Sequence, residues 1–106
     1  MKLFCYGTLK KGFGNHGILK DAEYLGKAVI DGKMYSMGAF PYVDITKKGF
    51  VEGEVYKINP QILAKCDTLE GYPHFYNRTL VDAMFYVYHM KHTDECYEEI
   101  EDGVWE

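Results

Sequence analysis

Apolar and polar positions change period several times along this chain, and each change marks an element. KLFCYG at 2–7 is a short apolar run broken by glycine, which reads as a strand running into a turn. TLKKGFGNHG at 8–17 is too polar and too interrupted by glycine to form an element of its own. A short helix is expected from about Asn15, which can serve as its N-cap. Strands are expected at roughly 24–30, 32–37, 41–45 and 50–58, punctuated by Asp31-Gly32, Gly38, Pro41 and Lys48-Gly49. In FVEGEVYKI, apolar Val51, Val55 and Tyr56 alternate imperfectly with Glu52, Glu54 and Lys57, the pattern of a half-buried strand bulged at Gly53.

Asn59-Pro60 opens the clearest helix, a capping residue followed by proline at the first helical position. Ile62, Leu63, Cys66 and Leu69 then fall on one helical face, and Gly71 and Pro73 end the run. Two more strands are expected at about 77–82 and 84–90, with only Asp82-Ala83 between them, a poor hairpin signal. Many short strands with one convincing helix predict a single domain over residues 1–106, built on a small, closed or strongly bent sheet with helical additions.

Composition narrows the function classes. Of 106 residues, 47% are hydrophobic, enough for a real core, and ten are Tyr, a residue that hides its ring and offers its hydroxyl. A formal net charge of −4 argues against a nucleic-acid partner. Seven acids after residue 90 (Asp94, Glu95, Glu98, Glu99, Glu101, Asp102, Glu106) read as a solvated face. Cys5, Cys66 and Cys96 form no disulfide framework; Cys5 and Cys66 sit in apolar patterns, as small core residues of a reducing compartment do. No apolar run approaches the ~18 residues that span a membrane, so no membrane partner is expected and a cytoplasmic location is.

Few residues carry candidate chemistry. GTLKKGFG lacks the Gly-Lys-Ser/Thr that a nucleoside-triphosphate loop needs, since Gly12 is followed by Phe13 and Gly14. A strand ending in Tyr-Gly-Thr still leaves backbone N–H groups free at its tip, a small anion cradle or an ordinary glycine turn. His89, His92 and Cys96 offer metal-ligand types, but His89 and His92, three apart on a strand, point to opposite faces and no fourth ligand is suitably spaced. No nucleophile elbow such as G-x-S-x-G occurs.

Glu70, in CDTLEGYPHFYNR, is out of place. It ends the helix where the macrodipole is negative and Lys or Arg is normally favoured. That placement costs about 0.3–1 kcal/mol, well under one pKa unit. Asp67, three residues back, adds like-charge pressure, and burial among Leu69, Tyr72, Pro73, Phe75 and Tyr76 would raise the pKa further. A carboxylate tuned toward neutrality suits proton transfer.

These residues resemble the γ-glutamylcyclotransferase-like superfamily, in particular its small γ-glutamylamine cyclotransferase type and short bacterial relatives. The matching pieces run in order from FCYGTLKKGFGNH through GAFPYV, VEGEVYKI and LAKCDTLEGYPHFYNRTLV to AMFYVY and a terminal Gly-x-Trp. The resemblance implies an α+β, mainly β fold, a small mixed β-barrel with one or two peripheral helices and a cavity at one end. It implies release of 5-oxoproline and a free amine from a small γ-glutamyl substrate, with neither metal nor organic cofactor. It also implies that Glu70 carries the proton and that Tyr6, Gly7, Thr8 and Leu9 hold the glutamyl group, with Asn15 and Tyr76 as possible pocket residues. The chain departs from the family pattern in a shorter hairpin before AMFYVY, and in Met84 and Val104 where an aromatic and an Asp are usual. Two other classes stay open on the sequence: a non-catalytic binding or interaction module on the same fold, and a metal or redox protein using His89, His92 and Cys96.

Overall fold

The structure, a computed structural model, describes residues 1–92 and 97–106. Strand β1 (Lys2–Cys5) lies at the centre of a five-stranded sheet. Its apolar run is continuous because both of its faces are covered: Leu3 and Cys5 pack with Tyr56, Ile62, Cys66 and Tyr88, and Phe4 and Tyr6 with Met34, Val43, Val51 and Val87. β2 (Glu23–Ile30) and β5 (Val51–Lys57) flank β1 on one side, β7 (Phe85–His89) and β6 (Asn77–Val81) on the other. β1 pairs antiparallel with β5 and parallel with β7.

β3 (Lys33–Ser36) and β4 (Pro41–Asp44) form a hairpin, to which β8 (Glu98–Ile100) adds a third antiparallel strand. The Met90 N–H donates to the Val43 carbonyl (3.0 Å) and so joins the end of β7 to this second sheet. The one α-helix, α1 (Pro60–Glu70), and a 3-10 turn over His16–Leu19 complete the described elements.

Three local features differ from the sequence reading. The bulge expected at Gly53 sits across the ladder in β2, where the register shifts between Tyr24 and Gly26. Gly53 pairs regularly with Ala28; its missing side chain makes room for the Phe4 ring, which a Cβ would approach to 2.5 Å. Asn15 precedes a 3-10 turn and does not cap it, because its side chain turns to Thr8. The acidic tail is not wholly a solvated face either: Ile100 pairs with Met34, while Glu98 and Glu99 stay exposed on the edge strand.

The β6–β7 hairpin closes despite its weak signal. Asp82 (φ 54°) and Ala83 (φ 52°) both take left-handed conformations, and the Met84 N–H donates to the Val81 carbonyl. Neither residue favours that region as glycine does, so pairing along the flanking strands imposes it.

Helix α1 follows its sequence signals closely. The Asn59 side chain accepts the Ile62 N–H (2.8 Å), as an N-cap does ahead of a first-turn proline. At the other end Gly71 (φ 65°) is left-handed; its N–H reaches the Thr68 carbonyl and the Tyr72 N–H the Asp67 carbonyl. That Schellman closure satisfies two of the helix's free carbonyls and stops it at Glu70. Ile62 and Cys66 are buried as the stripe predicts, whereas Leu69 stays 40% exposed because it faces the mouth of a cavity.

Candidate active site

Two segments distant in sequence wall a cavity of about 360 Å³. One is the end of β1 with the turn after it, residues 4–9; the other is the end of α1 with the segment that folds back from it, residues 69–76. The fold-back is tied by its own backbone: the Phe75 N–H donates to Gly71 (2.8 Å) and the Tyr76 N–H to Glu70 (3.3 Å), and the Tyr72–Pro73 peptide is cis. Tyr76, buried, then donates its hydroxyl to the Pro41 carbonyl (2.7 Å), pinning the fold-back against the start of β4.

Glu70, Tyr6, Gly7, Thr8, Leu9, Asn15 and Tyr76 all line this one cavity. The turn at 7–10 is held by the Lys10 N–H on the Gly7 carbonyl (3.0 Å). Asn15 grips Thr8 twice, backbone N–H to carbonyl (3.0 Å) and side-chain amide to hydroxyl (2.9 Å). Gly7 has to be glycine for a packing reason, since a Cβ there would come within 2.9 Å of the Pro41 ring. Among the described residues, none accepts a hydrogen bond from the backbone N–H of Gly7, Thr8 or Leu9. Donors of this kind on one short turn can cradle an anion.

The tyrosines of the cavity are occupied. Tyr6 donates to the Tyr88 carbonyl (2.7 Å), and Tyr88 donates to Asp67 Oδ1 (2.6 Å). Asp67 also pairs with Arg78 Nε at 3.3 Å, and the Arg78 guanidinium lies over the Tyr72 ring at 4.4 Å and the Tyr86 ring at 5.1 Å. Glu70 differs from its neighbours: no described side chain bonds or pairs with its carboxylate. Burial pushes its pKa up to about 7. Burial accounts for that rise without the push expected from Asp67. Burial likewise raises the Cys5 and Cys66 thiols and the Tyr6 and Tyr76 hydroxyls, Cys66 to about 12. Among the described lining residues, Glu70 is therefore the one whose ionisation falls near neutral pH.

Phe40, Pro41, Phe75 and Tyr88 also line the cavity and escaped the sequence reading as site residues. Arg78 and Tyr88 are cross-strand partners in the β6–β7 hairpin. Their meeting follows from a register that only the weak Asp82-Ala83 turn could have signalled.

His89 and His92, two of the three candidate metal ligands, are not among the residues that line this cavity. His89 Nε2 meets the Thr79 hydroxyl at 2.7 Å, while His92 bonds the Tyr42 hydroxyl and stacks on Tyr35 at 3.8 Å. Cys96 falls outside the described residues. Among the described residues no three His, Cys, Asp or Glu side chains converge, and no helix is long and apolar enough to cross a membrane.

Residues 3–106 match the family model described as gamma-glutamyl cyclotransferase, AIG2-like. The chain is 34% identical to the gamma-glutamylcyclotransferase family protein YtfP of Escherichia coli K12, with 99% of this chain and 96% of that protein covered. It is 35% identical to the gamma-glutamylaminecyclotransferase of Rattus norvegicus, over 76% of this chain and 62% of the rat protein. The solution structure of the Escherichia coli protein superposes with a TM-score of 0.79 at 32% identity, covering 99% of this chain and 96% of the other. An AIG2-like protein from Mus musculus shares the fold, with a TM-score of 0.74 at 23% identity over 89% of this chain and 79% of that one.

Proposed function

Because the chain belongs to the gamma-glutamyl cyclotransferase, AIG2-like family, we propose that it converts a small γ-glutamyl compound into 5-oxoproline and a free amine. The two sheets are then the walls of a small barrel, with the substrate entering at the end that Glu70 faces.

In this reaction the substrate supplies its own nucleophile. The α-amine attacks the γ-carbonyl, a C–N bond closes the five-membered ring, and the C–N bond to the departing amine breaks. The protein's first task is to fold the glutamyl chain so that these atoms meet, which intramolecular geometry can reward by about 7–11 kcal/mol. The N–H groups of residues 7–9 suit the α-carboxylate, which needs donors and no permanent positive charge. Thr8 and Asn15 keep that turn in shape through their paired hydrogen bonds.

The second task is proton transfer. The attacking amine loses a proton and the departing nitrogen gains one. Glu70 serves both steps in turn, as base and then as acid, and a pKa of about 7 lets it do each without a large energetic bias. A partly buried carboxylate with no side-chain partner among the described residues, in the same cavity as the 7–9 turn, is the observation that carries this reading.

Mass-spectrometric detection of 5-oxoproline from a panel of γ-glutamyl amines and dipeptides tests it. Wild type is expected to form product, and Glu70→Gln to form none while keeping its fold. Activity retained in the variant removes Glu70 from its role. Binding of the panel to wild type without any turnover points instead to a ligand-binding module. In active enzyme, kcat/KM climbs with pH as Glu70 ionises and shows a limb near pH 7.

A further inference from the structure

The mouth of the cavity is apolar. Leu69 leaves 40% of its surface exposed and Phe75 leaves 49%, and both border the cavity together with Ala39 and Phe40. The Phe40 and Phe75 rings meet edge to face at 6.2 Å, and Phe75 meets Tyr76 in the same way at 5.1 Å. A single exposed apolar side chain needs no explanation, but several gathered at the rim of one cavity mark a contact surface.

The same cavity is poor in charge. Among the described residues, no Lys, Arg or His lines it, and Glu70 is the one carboxylate that does. The lysines and the arginine of the adjoining segments are engaged elsewhere. Lys10 donates to the Trp105 carbonyl (2.8 Å), Lys11 lies over the Tyr24 ring (5.4 Å), and Arg78 pairs with Asp67.

We propose that the departing amine is uncharged and apolar beyond its reacting nitrogen, and that Phe40 and Phe75 select it; this deepens the cyclotransferase reading and rests on it. A carboxylate beside the departing nitrogen, as in a γ-glutamyl dipeptide, meets no cation in the lining and shares the cavity with Glu70, a like charge when ionised. A remote ammonium finds Glu70 as the one carboxylate among the described lining residues. That pairing holds Glu70 ionised and opposes return of its proton to the leaving nitrogen. An alkyl or aryl chain instead covers the exposed rim, and a ring packs against Phe40 and Phe75 in the geometry they already adopt with each other.

Two matched pairs of substrates test this. γ-Glutamyl-phenethylamide and γ-glutamylphenylalanine differ by one carboxylate. γ-Glutamyl-hexylamide and γ-glutamyl-cadaverine differ by a terminal methyl in place of an ammonium. The neutral member of each pair is expected to have the higher kcat/KM, by ~10-fold or more. In Phe75→Ala and Phe40→Ala, kcat/KM for the phenethylamide falls by ~10-fold relative to the methylamide, chiefly through KM. Phe75→Lys, at a half-exposed position that tolerates the change, shifts the preference toward γ-glutamylphenylalanine. Equal or better turnover of the charged members overturns the proposal and leaves the cyclotransferase reading standing. An unchanged phenethylamide-to-methylamide ratio in both alanine variants removes the two rings from the selection and overturns it as well. No 5-oxoproline from any of the substrates overturns both.

Discussion

Replacing Glu70 with Gln probes the physics of the site without any substrate. Burial puts the folded-state pKa at about 7, against about 4.3 in an unfolded chain. The folded protein therefore holds this proton more tightly than the unfolded chain does, and ionisation destabilises the fold. Well below pH 4 both states are protonated and the stability is fully present; it is lost as pH rises through 7, by about 4 kcal/mol in total. Glutamine has nearly the same shape and never ionises. Glu70→Gln is thus expected to be more stable than wild type by about 4 kcal/mol at pH 8.5, the gap narrowing to under ~1 kcal/mol at pH 4.5. The buried Cys5, Tyr6, Cys66 and Tyr76 are all shifted upward, so they stay neutral across this range and do not blur the comparison. Denaturant titration followed through the single tryptophan, Trp105, reports both stabilities. A variant no more stable than wild type at pH 8.5, or one with the same advantage at both pH values, would show that burial does not set the acidity of Glu70. A variant that is both more stable and inactive is what a strained catalytic carboxylate leaves behind.

Three further outcomes follow from the packing. Ala83→Gly, at an exposed left-handed position, is expected to raise stability by about 0.5–1 kcal/mol in denaturant titration, the relief of an alanine at φ 52° less the entropy of a glycine; a loss of stability would mean the hairpin turn carries no such strain. Gly53→Ala places a methyl 2.5 Å from the Phe4 ring and 2.6 Å from the Cys5 carbonyl, and is expected to lower stability by about 1–3 kcal/mol, which a neutral result would contradict. Lys10→Met removes the bond from a nearly buried ammonium to the Trp105 carbonyl; amide exchange at Glu52, whose N–H donates to Gly103, is then expected to quicken by ~10-fold, and unchanged exchange would show that Lys10 does not hold the tail.

The candidate site was legible to unequal degrees. Glu70 stood out because a carboxylate contradicts the charge preference of a helix end, a conflict visible within one turn of sequence. The 6–9 turn was legible because glycine and a strand end leave backbone donors free. The rim was not. Phe40 and Phe75 lie thirty-five positions apart, on loops whose approach depends on how the Tyr72–Tyr76 fold-back meets the start of β4. Arg78 and Tyr88 were missed for a related reason, since they meet only in the register of the β6–β7 hairpin. The tail misled through composition: two exposed acids conceal a strand whose pairing rests on the backbone and on Ile100.

By itself the sequence determined what short-range physics decides. It set the start and stop of α1 through Asn59, Pro60 and Gly71, and the alternation that makes most of the strands. It also placed a carboxylate where a helix disfavours one. Tertiary structure alone decided how deeply that carboxylate is buried, and hence its acidity, because the burying surfaces come from separate parts of the chain. It alone brought the 6–9 turn opposite α1 and set the rings at the mouth, and it forced Asp82 and Ala83 into a turn their own preferences oppose. Each of these is a contact between distant residues, whose energy no local pattern contains.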